Sequence, residues 1–409
     1  MKPPRGLAEY FAYLGPALIV SMAYMDPGNY GTDIQSGAGF NYTLLWAVWA
    51  ANVMAMILQY LSGKLGIATG RSLPELIRSS LGSRRRIIPY WLGAEIAAAA
   101  TDLAEYLGTV IALNLLFGIP LIYAAIFGAA DVIVLLLLTS ERFRIIEYFF
   151  MLIVSIIGIG FLYQVVLIHP SLTQIVYHSV VPSLDRNSAF FVVGIVGATV
   201  MPHALFVHSW LTKNKLTDAS FEERKRLRRL HLRENIFALT IASLVNVAIL
   251  VSAAAAFYPK YSDVSSINQA YAILGPLFGY FAAFVFAITL LCSGLASSVT
   301  GTLAGQAIMD GLLGMKVNKY LRRIVTRVIN VFPTTVAILV GLSPLTLLVY
   351  SQVALSILIP LPMIPLLFYT SRRHLMGEFV NRWSTNLLAL MAAGAIIALN
   401  AYLLYSFFA

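Results

Sequence analysis

Long apolar runs separated by short polar clusters repeat from one end of this chain to the other. A helix needs about twenty predominantly apolar residues to cross a bilayer. Runs of that kind can be drawn at 9–37, 43–69, 88–117, 119–139, 147–168, 187–212, 234–257, 275–309, 323–342, 344–369 and 383–408. The pattern predicts eleven membrane-spanning helices, and with them an all-α polytopic membrane protein forming a single transmembrane domain over 1–409.

Composition agrees with the pattern. The chain has 409 residues, 59% of them apolar and 11% charged, whereas a soluble domain carries about a quarter charged residues. Its one cysteine, Cys292, lies in an apolar stretch, so no disulfide forms within the chain and the thiol reads as core packing. A formal charge of +10 would suit nucleic acid, but the placement of the charges argues otherwise. Lys2 and Arg5 precede the first span; Arg71, Arg78 and Arg84 to Arg86 follow the second; Arg142 and Arg144 follow the fourth. The segment from Lys213 to Arg233 follows the sixth and is densely basic, Lys316, Lys319 and Arg322 follow the eighth, and Arg372, Arg373 and Arg382 follow the tenth. The remaining connections hold only Arg186 and Lys260. This alternation sets the N-terminus in the cytoplasm and the C-terminus outside a cell (plasma) membrane. The partner is thus the lipid bilayer, with no nucleic acid and no obligatory protein partner evident. Residues 213–234 read as a cytoplasmic interfacial helix near anionic lipid.

Two of the spans carry breakers at mid-membrane. The first contains Ala23-Tyr24-Met25-Asp26-Pro27-Gly28-Asn29 and the sixth Ala198-Thr199-Val200-Met201-Pro202-His203. Irregular backbone at that depth is tolerated only where it is buried in protein or lines a cavity. If spans 1–5 and 6–10 form two repeats (about 9–168 and 187–369), each break falls in the first helix of its set. An odd number of helices per set inverts the second relative to the first, the pattern of transporters whose broken helices meet at the midplane. The span at 383–408 is then an additional helix. Proline lacks an N–H, so it orphans the carbonyl four residues earlier: Ala23 for Pro27 and Ala198 for Pro202. Around these oxygens stand the Asp26 carboxylate, the Asn29 amide and the Met201 thioether. Four oxygens and one sulfur with a single negative charge suit a divalent cation, and the thioether favours Mn²⁺ or Fe²⁺ over Ca²⁺ and Mg²⁺. An ionisable Asp26 at this depth is a functional residue by default.

At these residues the chain resembles the natural resistance-associated macrophage protein (Nramp) family of proton-coupled metal transporters. The family's Asp-Pro-Gly-Asn stands at Asp26 to Asn29 and its Met-Pro-His at Met201 to His203. The likeness continues through Thr32 to Gln35, Thr101 to Glu105, Thr300 to Thr302 with Gly305-Gln306, Thr326-Arg327 and Ser351 to Val353. It implies a LeuT-type fold with helices 1 and 6 broken, and metal ligation by Asp26, Asn29, Met201 and the carbonyls of Ala23 and Ala198. It further implies that Gln352 approaches the metal in an occluded state. Two positions depart from the family pattern, Ala204 where asparagine is common and Leu295 where glutamine is usual.

Glu95, Asp102 and Glu105 share the third span. At about 100° per residue, positions 95 and 102 differ by about 20° and positions 102 and 105 by about 60°, so the three carboxylates occupy one face. Such a face needs a polar cavity or a cation, and Arg327 in the ninth span is the candidate. The resemblance implies a proton-exit network of these residues reached through His203. The remaining histidines, His169, His178, His208, His231 and His374, read as background.

These features point to a secondary transporter that imports Mn²⁺, Fe²⁺ or similar ions with protons by alternating access. The alternative on the same fold is a sodium-coupled organic solute carrier, which Asp26 disfavours by repelling a substrate carboxylate. No His-Glu-x-x-His pair and no Walker-type phosphate loop occurs, so neither a zinc enzyme nor an ATP-driven pump is expected. No cofactor is expected beyond the transported ion and the coupling proton.

Overall fold

The computed structural model describes residues 15–128, 143–214, 220–263, 266–316 and 318–408, and among them every regular element is helical. Eight described helices are long and apolar enough to cross a bilayer, and two shorter apolar ones, Pro16–Met25 and Ile324–Leu339, accompany them. Of the expected fourth span only Leu121–Gly128 is described; residues 129–142 and 1–14 lie outside the described chain. The protein is a multi-pass membrane protein, and its apolar exterior follows from its solvent. On the helix Phe143–Ile168, Leu152, Ile159, Leu162 and Val166 all point outward, where lipid accepts them without cost.

The two broken helices run through the middle. The first comprises α1 (Pro16–Ser21), a 3₁₀ turn at Ala23–Met25, an extended Asp26, and α2 (Pro27–Phe40). The second comprises α3 (Arg186–Val200), the irregular Met201, and α4 (Pro202–Asn214). Proline opens the second half in both cases, where its fixed φ and missing N–H are tolerated. Asp26 then serves as N-cap, its Oδ1 accepting from the backbone N–H of Asn29 at 2.9 Å.

Five helices enclose these breaks: α5 (Leu45–Thr69), α6 (Arg84–Phe117), α7 (Phe221–Phe257), α8 (Tyr280–Ile308) and α9 (Pro344–Leu358). α6 spans 34 residues, about 51 Å at 1.5 Å per residue, so it overshoots a hydrocarbon core of about 30 Å. Its arginine-rich start therefore lies beyond the lipid tails. α7 behaves similarly over 37 residues. The basic segment from 221 is thus the continuous extension of a span beyond the lipid, where a separate interfacial helix was expected. The reason is local: Ser220 and Glu223 form a capping box, and no glycine or proline occurs between 221 and 257 to end the helix.

Glycines on α8 allow a close helix contact. A Cβ on Gly294 would lie 2.7 Å from Thr109 Oγ1, and one on Gly301 2.7 Å from a Glu105 carboxylate oxygen. Their absence lets α6 pack directly on α8.

Candidate metal centre and proton route

The breaks meet through one side chain. Asn29 Nδ2 donates to Asp26 Oδ1 at 2.8 Å and to the Ala198 carbonyl at 3.2 Å, 169 positions away in sequence. The amide oxygen of the same residue accepts from Thr199 Oγ1 and from Asn246 Nδ2, both at 3.3 Å. The carbonyl that Pro202 orphans is therefore met by a side chain from the other broken helix. Asp26, Asn29, Met201, His203 and Gln352 are all fully buried. Asp26 Oδ2 and Gln352 Oε1 have no hydrogen-bond partner among the described residues. Buried acceptors left unsatisfied are expensive, and two of them flank the breaks.

Gln352 is wedged between the two helices. A Cβ on Gly28 would lie 2.2 Å from Gln352 Nε2, and one on Gly197 would lie 1.8 Å from the Gln352 carbonyl oxygen. Only hydrogen at positions 28 and 197 admits this residue. Ala23 sits buried in the 3₁₀ turn, and its neighbours' carbonyls are held by side chains: Tyr24 by Asn246 Nδ2 at 3.0 Å, Met25 by Ser293 Oγ, and Ile19 by Thr300 Oγ1 at 3.0 Å. Sequence reasoning did not single out Asn246 or Thr199. A lone asparagine in the apolar run of α7 was a readable signal, since polar groups in spans are costly. Thr199 carried no such signal, because threonine in a membrane helix commonly bonds its own backbone.

Among the described residues no cluster of three His, Cys, Asp or Glu side chains forms a conventional metal site. The donor set at the breaks is instead one carboxylate, amides, peptide oxygens and a thioether.

A second polar array leads away from the breaks. His203 Nδ1 lies 3.0 Å from Thr101 Oγ1, and His203 Nε2 has no partner among the described residues. Asp102, next to Thr101, accepts from Asn330 Nδ2 on the helix Lys319–Leu339. Glu95 forms a two-pronged pair with Arg322, at 2.6 and 3.1 Å. A small cavity of about 30 Å³, room for a water, is lined by Glu95, Asp102, Arg322 and Thr326. Among the described residues, Arg322 is thus a cation that meets the Glu95 end of the acidic face. Arg327 lies on the same helix, and its side chain is outside the described residues. Arg322 was read only as a topological charge because it falls at the edge of its span.

Of the remaining histidines, His169, His178 and His374 lie at or near the surface. His208 and His231 do not: their rings pack at 4.9 Å between centroids, and His208 Nδ1 lies 2.8 Å from Gln59 Oε1. Of the two departures from the family pattern, Ala204 is fully buried and Leu295 half-buried.

The Nramp family model, described as natural resistance-associated macrophage protein-like, matches residues 17–406. The chain belongs to the Nramp family. It is 45% identical over 406 residues to a divalent metal cation transporter, MntH, of Granulibacter bethesdensis, covering 99% of this chain and 90% of that one. It is 44% identical over 404 residues to the MntH of Deinococcus radiodurans, with 98% and 91% covered. A crystal structure of a mutant of the Eremococcus coleocola manganese transporter superposes with a TM-score of 0.85 at 29% identity, covering 100% of this chain and 97% of that one. Mhp1, a nucleobase-cation-symport-1 family transporter, aligns with a TM-score of 0.62 at 15% identity over 96% and 92%, a likeness of fold alone. The Nramp chain thus has the LeuT-type architecture, with the broken helices where that fold requires them, and it is not an enzyme.

Proposed function

We propose that this chain imports divalent transition-metal ions, Mn²⁺ or Fe²⁺, across the cell membrane together with protons, by alternating access around its two broken helices. The observation that carries the reading is the juncture of the breaks. There an unpartnered Asp26 carboxylate oxygen stands beside the Asn29 amide, which meets the orphaned Ala198 carbonyl, and the buried Met201 forms the second break. The names of the relatives, a divalent metal cation transporter and a manganese transporter, agree with it.

The chemistry follows from the hydrogen bonds. The Asn29 amide nitrogen lies between Asp26 Oδ1 and the Ala198 oxygen, so a partial positive charge already occupies the position a cation would share. Turning the amide by half a rotation brings its oxygen round as a further ligand. The Thr199 hydroxyl then accepts where it had donated, since a hydroxyl does both, and the Asn246 amide turns as well, to present its unpartnered oxygen in place of its nitrogen. With the Ala23 carbonyl, the Met201 sulfur and the Gln352 oxygen, the donors would number about six, the coordination usual for Mn²⁺. Gln352, whose amide already lies against Gly28, would complete the set. Two inverted five-helix repeats would then move about this fixed site.

A single carboxylate leaves a divalent ion half-compensated in a medium of low dielectric. Release of a proton from Asp26 or its surroundings would reduce that imbalance. Thr101 links His203 to the position beside Asp102, and the Glu95–Arg322 pair continues towards the basic loops. That order of groups supports an exit route through His203, Asp102, Glu105 and Glu95.

Purified protein in liposomes should take up Mn²⁺ under an inward-negative potential while the lumen acidifies. Met201→Ala should retain impaired Mn²⁺ uptake and let Ca²⁺ or Mg²⁺ compete more strongly. Unchanged Ca²⁺ competition would remove the role given to the sulfur. Asp102→Asn should bind Mn²⁺ normally yet lose the stimulation of uptake by external acid; a variant that merely fails to fold would mark Asp102 as structural.

A further inference from the structure

Lys64 lies deep at the inner end of α5, 3% exposed. Its ammonium donates to Asn381 Oδ1 and stands 5.5 Å from the centre of the Tyr60 ring. A buried ammonium without an anionic partner is costly. It opens onto a cleft of about 480 Å³ between α5, α7 and α10 (Trp383–Phe408). Arg228, Arg229 and Arg382 also line this cleft, and no carboxylate does among the described residues.

The walls turn apolar away from these cations, through Met56, Ile236 and Leu388. At Ile57 and Leu388 the cleft runs into a second, almost wholly apolar trough of about 510 Å³. That trough follows α5 and α10 past Val53 and Met391 to Trp46 and Trp49. From Ile57 to Trp46 the helix rise gives about 17 Å, close to the half-thickness of about 15 Å of a hydrocarbon core. Cations at one end and a chain-length apolar channel at the other match one class of molecule. Free phosphate would leave the trough unused, and a neutral lipid would leave the cations unpaired.

The structure assigns this composite groove to an anionic glycerophospholipid of the leaflet that the basic loops mark as cytoplasmic. Its phosphate sits among Lys64, Arg228, Arg229 and Arg382, and one acyl chain lies along Ile57, Val53 and Met391. The lipid would fasten α10, which stands outside the five-helix sets, to one helix from each set.

The test uses the full chain, delipidated in detergent and titrated with phosphatidylglycerol, phosphatidylcholine or glycerol 3-phosphate, with bound lipid counted by native mass spectrometry. One phosphatidylglycerol per chain should be retained about tenfold more strongly than phosphatidylcholine. Arg229→Gln combined with Arg382→Gln should erase that preference while Mn²⁺ binding is kept. Val53→Trp, on the lipid-facing wall, should weaken lipid retention with every cation in place, which keeps the proposal open to refutation if the double variant misfolds. Equal retention of the two lipids, or displacement of phosphatidylglycerol by an equal concentration of glycerol 3-phosphate, overturns it.

Discussion

Asn29 bonds to both broken helices at once, and the four hydrogen bonds of its side chain tie Asp26, Ala198, Thr199 and Asn246 into one cluster. The motif was readable because Asp-Pro-Gly-Asn places a carboxylate, a breaker and an amide within one turn. The groups across from it were not: Asn246 stood out as a lone amide in an apolar run but nothing local named its target, and Thr199 bears no mark of its role. The glycines show the same division. Sequence reasoning gave Gly28 no role beyond its motif and did not single out Gly197, yet each is a contact surface for Gln352. A Cβ at 28 meets the movable end of the Gln352 side chain, whereas a Cβ at 197 meets backbone. Gly28→Ala should therefore fold normally and weaken Mn²⁺ binding by displacing the Gln352 amide. Gly197→Ala should destabilise the protein by about 1–3 kcal/mol, as overpacking does. Thermal unfolding in detergent beside Mn²⁺ titration separates the two; equal stability would show that α3 and α9 can part freely.

At the scale of elements, each broken helix has its exposed ends satisfied by neighbours. α1 is short, and isolated it would not hold. Glu234 on α7 accepts from the backbone N–H groups of Gly15, Ala17 and Leu18, at 2.6, 3.1 and 3.3 Å. A carboxylate at a helix N-terminus satisfies orphan donors and complements the dipole. This fastens the first half-helix to the extended α7, so the continuity of that helix has a use that a detached interfacial segment would lack. Glu234→Gln should loosen α1, seen as faster hydrogen exchange at residues 15–19 with the rest of the protein unchanged. Protection equal to that of the parent chain would assign the anchoring elsewhere. The acidic face of α6 was legible from helical spacing alone. The pairing of Glu95 with Arg322 was not, because the packing of a neighbouring helix, and not the distance along it, brings the two together.

For the whole molecule, the alternation of basic connections makes a global statement, an N-terminus inside and a C-terminus outside. A reporter fused after Ala409 should be active only outside the cell, while one in the 213–233 segment should be active only within. A cytoplasmic C-terminus would break the count of eleven spans. Hydropathy, the break positions and the paired signatures lie in the sequence itself. Lipid offers no hydrogen bonds, so a long apolar run has little choice but to be a helix, and a proline within it must free a carbonyl whatever surrounds it. The partner of each freed or charged group was settled only in three dimensions. Ala198 with Asn29, Glu95 with Arg322 and Lys64 with Asn381 are pairings between distant segments. They depend on the rotation and offset of one rigid helix against another, which side-chain volume and glycine clearance fix and a one-dimensional pattern does not encode.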